Sequence, residues 1–142
     1  MSFAIGPFTE GDIPAILAID HDAREQNLRE ELSRTWGRVR VLREHAAGPV
    51  LGYVQFWHVT DEIHLLNVAV AGASRRRGLG RTLVHEVIAY AKEHRAGRVL
   101  LEVRVSNSAA IGLYQALGFE EFNRRKRYYD DGEDAIEMML TL

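Results

Sequence analysis

The sequence predicts a mixed α/β fold, an α+β arrangement around a single mixed sheet, and three observations carry that expectation. Apolar residues alternate at period two in "RVRVLRE" and run nearly unbroken through the end of "EIHLLNVAV", as they do in strands. They recur at helical spacing between Gly78 and His94. The segments follow the order β-α-α-β-β-β-α-β-α-β-β, so a strand–helix–strand unit stands in the middle.

Each element has its own signal. "FAIGPF" reads as a first strand, and Thr9 offers an N-cap to "EGDIPAILAIDHDA". There Ile13, Ile16 and Leu17 fall on one helical face, and Pro14 sits in the permitted first turn. "NLREELSRTW" reads as a second helix with Leu28, Leu32 and Trp36 marking its apolar face. "RVRVLRE" and "VLGYVQFWHV" flank the turn "HAAGP" and are expected to form a hairpin. "EIHLLNVAV" should be a strand buried on both faces towards its end. The next helix carries Leu79, Leu83, Val84, Val87, Ile88 and Ala91 as a stripe, with Gly97 beyond its end. "RVLLEVRV" is a strand, and "SNSAAIGLYQALG" a helix capped by Ser106 or Asn107 and stopped at Gly118. "FEEFNRRKRYY" and "AIEMMLTL" close the chain as a hairpin around "DDGED".

The 142 residues suit one domain over positions 1–142, and an apolar fraction of 46% supplies its core. Eighteen Lys and Arg against 20 Asp and Glu leave a net charge of −2, which argues against a nucleic-acid coat. The chain has no cysteine, which rules out disulfides, thiolate metal sites and a cysteine nucleophile. "MSFAIGPFTEGD" lacks the pattern of a signal peptide, and no apolar run reaches the roughly 20 residues of a membrane span. A soluble cytoplasmic protein is expected, without membrane or direct nucleic-acid partners.

The stretch "GASRRRGLGRTLV" is the most informative. A glycine-bearing turn between a strand and a helix makes an anion site, because the first helical N–H groups have no partner inside the helix. Gly78 and Gly80 allow close backbone approach, and Arg75, Arg76, Arg77 and Arg81 surround that end with cations. Those cations oppose the helix dipole, so local stability does not explain them. A solvated arginine cluster beside an ordinary turn is the alternative. The pattern lacks the Gly-Lys-Ser/Thr of a P-loop and the third glycine of the dinucleotide fingerprint.

Arg75-x-x-Gly78-x-Gly80, following "NVAV" and opening an amphipathic helix, resembles the acetyl-CoA signature of the GCN5-related N-acetyltransferase (GNAT) superfamily. "LLEVRVSNSAAIGLYQALGF" and "RRKRYYDDGEDAIEMML" are similar to its ribosomal-protein-alanine N-acetyltransferases. The close likeness covers roughly residues 65–140, and the first sixty match only the general layout. The resemblance implies the GNAT acyl-CoA N-acyltransferase fold, acetyl-CoA as co-substrate, no metal, and a monomer or weak dimer. The implied acceptor is the N-terminal alanine amine of a small-subunit ribosomal protein. It also implies that the "NVAV" strand splays from its parallel neighbour. The pantetheine arm then bonds Val68, Ala69 and Val70, and the N–H groups from Arg76 through Gly78, Leu79 and Gly80 to Arg81 take the pyrophosphate. Asn107 is a further implied contact with the co-substrate, beside its plain reading as a helix cap.

Amine acetylation requires the incoming ammonium to lose a proton and the departing thiolate to gain one. Glu102, a carboxylate among apolar strand neighbours, is the implied base, acting directly or through a water; the bland reading pairs it with Arg104 or Arg98. Tyr114 is the implied acid, and otherwise a core tyrosine with its hydroxyl at the rim. Tyr128 and Tyr129 are implied to line the acceptor channel, and otherwise pair across the last hairpin. The segment "HDAREQNLREEL" departs from the aromatic-proline stretch usual on the family's substrate side, which leaves the acceptor open. A small amine or a lysine is the alternative acceptor, and a non-catalytic CoA or nucleic-acid module the alternative role. "RRKRYY" is read as a solvated face rather than an RNA patch, and the six histidines show no metal spacing.

Overall fold

The computed structural model describes residues 3–75 and 77–142, and Arg76 lies outside the described residues. Seven strands form one sheet: β1 (Ala4–Pro7), β2 (Gly37–Arg43), β3 (Val50–Val59), β4 (Glu62–Val70), β5 (Arg98–Arg104), β6 (Glu120–Arg125) and β7 (Ala135–Thr141). Four helices cover it: α1 (Ile13–Ile19), α2 (Glu25–Glu31), α3 (Leu79–Glu93) and α4 (Ser108–Ala116). The strand order is β1-β2-β3-β4-β5-β7-β6, and only β4 and β5 run parallel. This is the mixed sheet that the element order predicts. The match reflects a chain in which period and punctuation agree for nearly every element.

Two apolar clusters lie on opposite faces of the sheet. Leu79, Leu83, Val84, Val87, Ile88 and Ala91 of α3 are all buried, against Val54, Phe56, Ile63 and Val99 among others. On the other face Ile13, Ile16 and Leu28 pack on Val39, Val41 and Tyr53. At Gly52 a Cβ would stand 2.9 Å from the Ala69 carbonyl oxygen and 3.2 Å from Leu83 Cδ1, so α3 approaches the sheet where no side chain intervenes.

The feature that shapes the site is a split in the sheet. β4 pairs with β5 only from Glu62↔Arg98 to Leu65↔Leu101, yet β4 continues to Val70 and β5 to Arg104. The β3–β4 ladder supplies the cause. Gln55 pairs with Asn67 and Phe56 with Leu65, so Leu66 is an extra residue. Such a bulge bends its strand and here steers the second half of β4 away from β5.

Several expectations change. The "NVAV" end is not buried on both faces: Leu66 and Asn67 are exposed and Val68–Val70 only partly covered, because β5 has left their side. The second helix stops at Glu31, before Leu32 and Trp36, which are each 46% exposed. Glu31 takes the buried position, because its carboxylate accepts from Trp57 Nε1 at 2.9 Å and pairs with Arg34. The left-handed residue after α3 is Arg95, at φ 57°, and Gly97 serves instead to admit the close approach of Asp61. "FEEFNRRKRYY" is a strand only to Arg125, so Tyr128 and Tyr129 belong to the following turn and not to the ladder.

Candidate active site

The diverging half of β4 has no ladder partner on the side β5 has left, so the peptide groups of Val68, Ala69 and Val70 form a strand edge inside the sheet. An extended ligand can pair with such an edge. Immediately after β4, a short 3-10 turn over Gly72–Ser74 leads to the arginines. Gly78 caps α3 at φ 73°, in the left-handed region, and nothing lies within 4 Å of where its Cβ would stand. In the first turn of α3, Thr82 donates its amide to the Gly78 carbonyl at 3.1 Å. The amides of Leu79, Gly80 and Arg81 therefore sit in the first turn, with the positive end of the dipole and no acidic residue beside them.

Arg75, Arg77 and Arg81 are exposed around that end. Arg77 lies 3.9 Å from the Glu44 carboxylate and over the Phe3 ring at 5.2 Å. This concentration of donors and cations suits a polyanion. A side chain at Gly78 would strain the left-handed turn.

On the α1/α2 face of the sheet, a cleft of about 370 Å³ opens beside the split. Alternation along β5 sends Leu101 and Val103 into the α3 core and Glu102 into this cleft, where it is exposed. Neither predicted partner holds it: Arg98 pairs with Glu62 at 3.0 Å and Arg104 with Asp131 at 2.8 Å and Glu133 at 3.1 Å. Glu102 instead accepts a hydrogen bond from the Tyr128 phenol, which is the main reason that phenol is held above its ordinary value. Tyr129, stacked under the Arg104 guanidinium at 4.1 Å, is also raised, first by burial and then by the charge of Glu102. Both tyrosines line the cleft.

Sequence reasoning missed three of the residues here. Glu137 stands directly opposite Glu102 on β7, a like-charge pair that is unfavourable unless one partner is compensated. Asn123 Nδ2 at 2.8 Å and Arg125 Nε at 3.1 Å both donate to Glu137. Burial pushes the Glu137 carboxyl up, but those two donors outweigh it and hold the group below the usual carboxylate range. Phe122 adds a half-exposed ring to the wall. The only signal for these residues was period-two alternation in the last two strands.

Tyr114 lies on the opposite face, 9% exposed in the α3 core and 5.6 Å from the Phe119 ring. Burial pushes its phenol up to about 12, so it keeps its proton throughout the physiological range. Its neighbour Leu113 comes within 3.8 Å of the Cβ position of Gly80, which sets α4 beside the N-terminus of α3. Asn107 caps α4, its side chain accepting from the Ala110 amide at 3.2 Å. The α3 face thus carries a cation-rich turn and a buried phenol, and the other face a cleft lined by two carboxylates.

A chain with this opened sheet belongs to a known class. It is a member of the acetyltransferase (GNAT) family, whose family model matches residues 8–119. It is 45% identical over 87 residues to the ribosomal protein bS18-alanine N-acetyltransferase of Escherichia coli (strain K12), covering 59% of each chain. An N-alpha-acetyltransferase of Sulfolobus acidocaldarius is 31% identical over the whole chain and 94% of its own length. Among solved structures, the ribosomal-protein-S18-alanine N-acetyltransferase from Escherichia coli superposes with a TM-score of 0.88 at 32% identity, over 99% of this chain and 94% of that one. The sequence matches to the bacterial ribosomal-protein enzymes span only 59% to 64% of those relatives' length.

Proposed function

We propose that the protein is an acetyl-CoA-dependent N-acetyltransferase whose acceptor is the N-terminal alanine amine of a small-subunit ribosomal protein. The observation that carries this reading is the split between β4 and β5, which connects an anion-binding turn to an acidic, aromatic cleft. In this reading the amides from Arg76 to Arg81, with Arg75 and Arg77, hold the pyrophosphate, and Val68, Ala69 and Val70 bond the pantetheine arm. Asn107 adds a contact at the start of α4.

The acceptor enters the cleft as an ammonium, attracted by Glu102 and Glu137. Glu102, directly or through a water, takes its proton. The freed lone pair attacks the thioester carbonyl, whose developing negative charge is met by a backbone N–H near Val70. As the carbon–sulfur bond breaks, the Tyr114 phenol delivers its proton to the sulfur, while the nitrogen gives up its second proton to solvent, from which the phenolate is reprotonated. The high value of Tyr114 suits the role, since a donor must still hold its proton at working pH. Tyr128 and Tyr129 shape the channel, and the bond from Tyr128 orients the Glu102 carboxylate.

Mass spectrometry after incubation with acetyl-CoA and a tetrapeptide beginning with alanine tests the proposal. The expected result is one acetyl group on the α-amine. Acetylation confined to propylamine, or to an internal lysine of a blocked peptide, overturns the acceptor assignment.

A further inference from the structure

A second cleft, also about 370 Å³, lies on the same face between α2 and strands β3 and β4. Leu66, the bulge residue, borders both clefts, so a chain leaving the first has a path over it into the second. The second cleft contains Gln55 and Asn67, directly opposite each other across the ladder. Gln55 is only 7% exposed, and its carbonyl oxygen accepts from Asn67 Nδ2 at 2.8 Å.

Two carboxamides that share one hydrogen bond leave an unused NH2 group on one partner and an unused carbonyl on the other, whichever way both are turned. Here these are Gln55 Nε2 and Asn67 Oδ1. The charges around them do not favour an ion: Arg34 is taken up by Glu30 and Glu31, and Asp22 and Arg24 oppose one another in sign. A neutral group offering both an acceptor and a donor is a peptide unit.

We propose that Gln55 and Asn67 bind a backbone peptide unit of the acceptor, downstream of the amine, and so favour polypeptide acceptors over small amines. The inference rests on the proposed function and names what distinguishes its acceptor class. A small amine has nothing to place against this pair, whereas a polypeptide gains one hydrogen bond to each member. The bulge serves both ends of the arrangement, since it opens the sheet and also brings Asn67 opposite Gln55.

Steady-state kinetics of Asn67→Ala and Gln55→Leu with the alanine-initiated tetrapeptide test the inference. Asn67 is exposed, so its variant is expected to stay folded, melting slightly lower for loss of its bond to Gln55, even if Gln55→Leu does not fold. The expected result for Asn67→Ala is a tenfold or greater rise in KM for the peptide, with KM for acetyl-CoA and kcat within twofold of the wild type. An unchanged peptide KM, or a rise shared equally with acetyl-CoA, overturns the inference alone. A wild type that acetylates propylamine and no peptide overturns the proposed function and this inference together.

Discussion

Two carboxylates face each other across β5 and β7, and their surroundings differentiate them. Glu137 is committed to Asn123 and Arg125, whereas Glu102 accepts from the Tyr128 phenol and is exposed to the cleft. Removing the Glu102 charge should therefore let Tyr128 fall back towards the ordinary tyrosine value. Ultraviolet titration of Glu102→Gln against the wild type reads that change, and an unmoved phenol would break the link between the two. Tyr114 gives a pH prediction with a definite sign. Its folded-state value, about 12, lies above the unfolded value near 10, so the fold prefers the protonated phenol. That contribution is intact below pH 10 and is lost as pH rises through 12, about 3 kcal/mol in all. Chemical denaturation of wild type and Tyr114→Phe at pH 9 and pH 12 should show a larger loss in the wild type, since the variant keeps the raised Tyr53, Tyr128 and Tyr129 phenols. Glu102 and Tyr114 were singled out through the resemblance of their motifs to the family. Glu137, Arg125 and Phe122 were not, because only the register of β7 on β5 brings Glu137 opposite Glu102.

Among the elements, α3 was the most legible, since its stripe is the buried face almost residue for residue. The end of β4 was the least. Its apolar run has the composition of a doubly buried strand, and the bulge at Leu66 that uncovers it depends on pairing with β3 and leaves no mark in the local pattern. The second helix misled for a related reason: the contact from Trp57, 26 residues along the chain, decides that Glu31 and not Leu32 turns inward. The caps carry their own predictions. Asn107→Ala removes the bond to the Ala110 amide and should cost about 1 kcal/mol in denaturant unfolding. Gly78→Val forces a β-branched residue into φ 73° and should weaken CoA binding by calorimetry well beyond its effect on stability. A variant that binds CoA like the wild type would remove the α3 turn from the site.

For the molecule as a whole, one split in the sheet is the organising feature: β4 and β5 part beyond Leu65 and Leu101, the glycine-arginine turn follows β4, and the cleft lined by β5 and β7 residues opens beside it. The mixed fold was readable from period and order. The parting of β4 from β5 beyond Leu65 was not, because it depends on the long-range β3–β4 register. The proposed mechanism has one carboxylate and one buried phenol divide the proton transfers of an acetylation. The direct test is to measure kcat for acetyl transfer in Glu102→Gln and Tyr114→Phe alongside CoA affinity by calorimetry. Each variant is expected to lose on the order of 10² or more in kcat while binding CoA within threefold of the wild type. Two variants that turn over at the wild-type rate, or that lose activity only as far as they lose CoA, would contradict it.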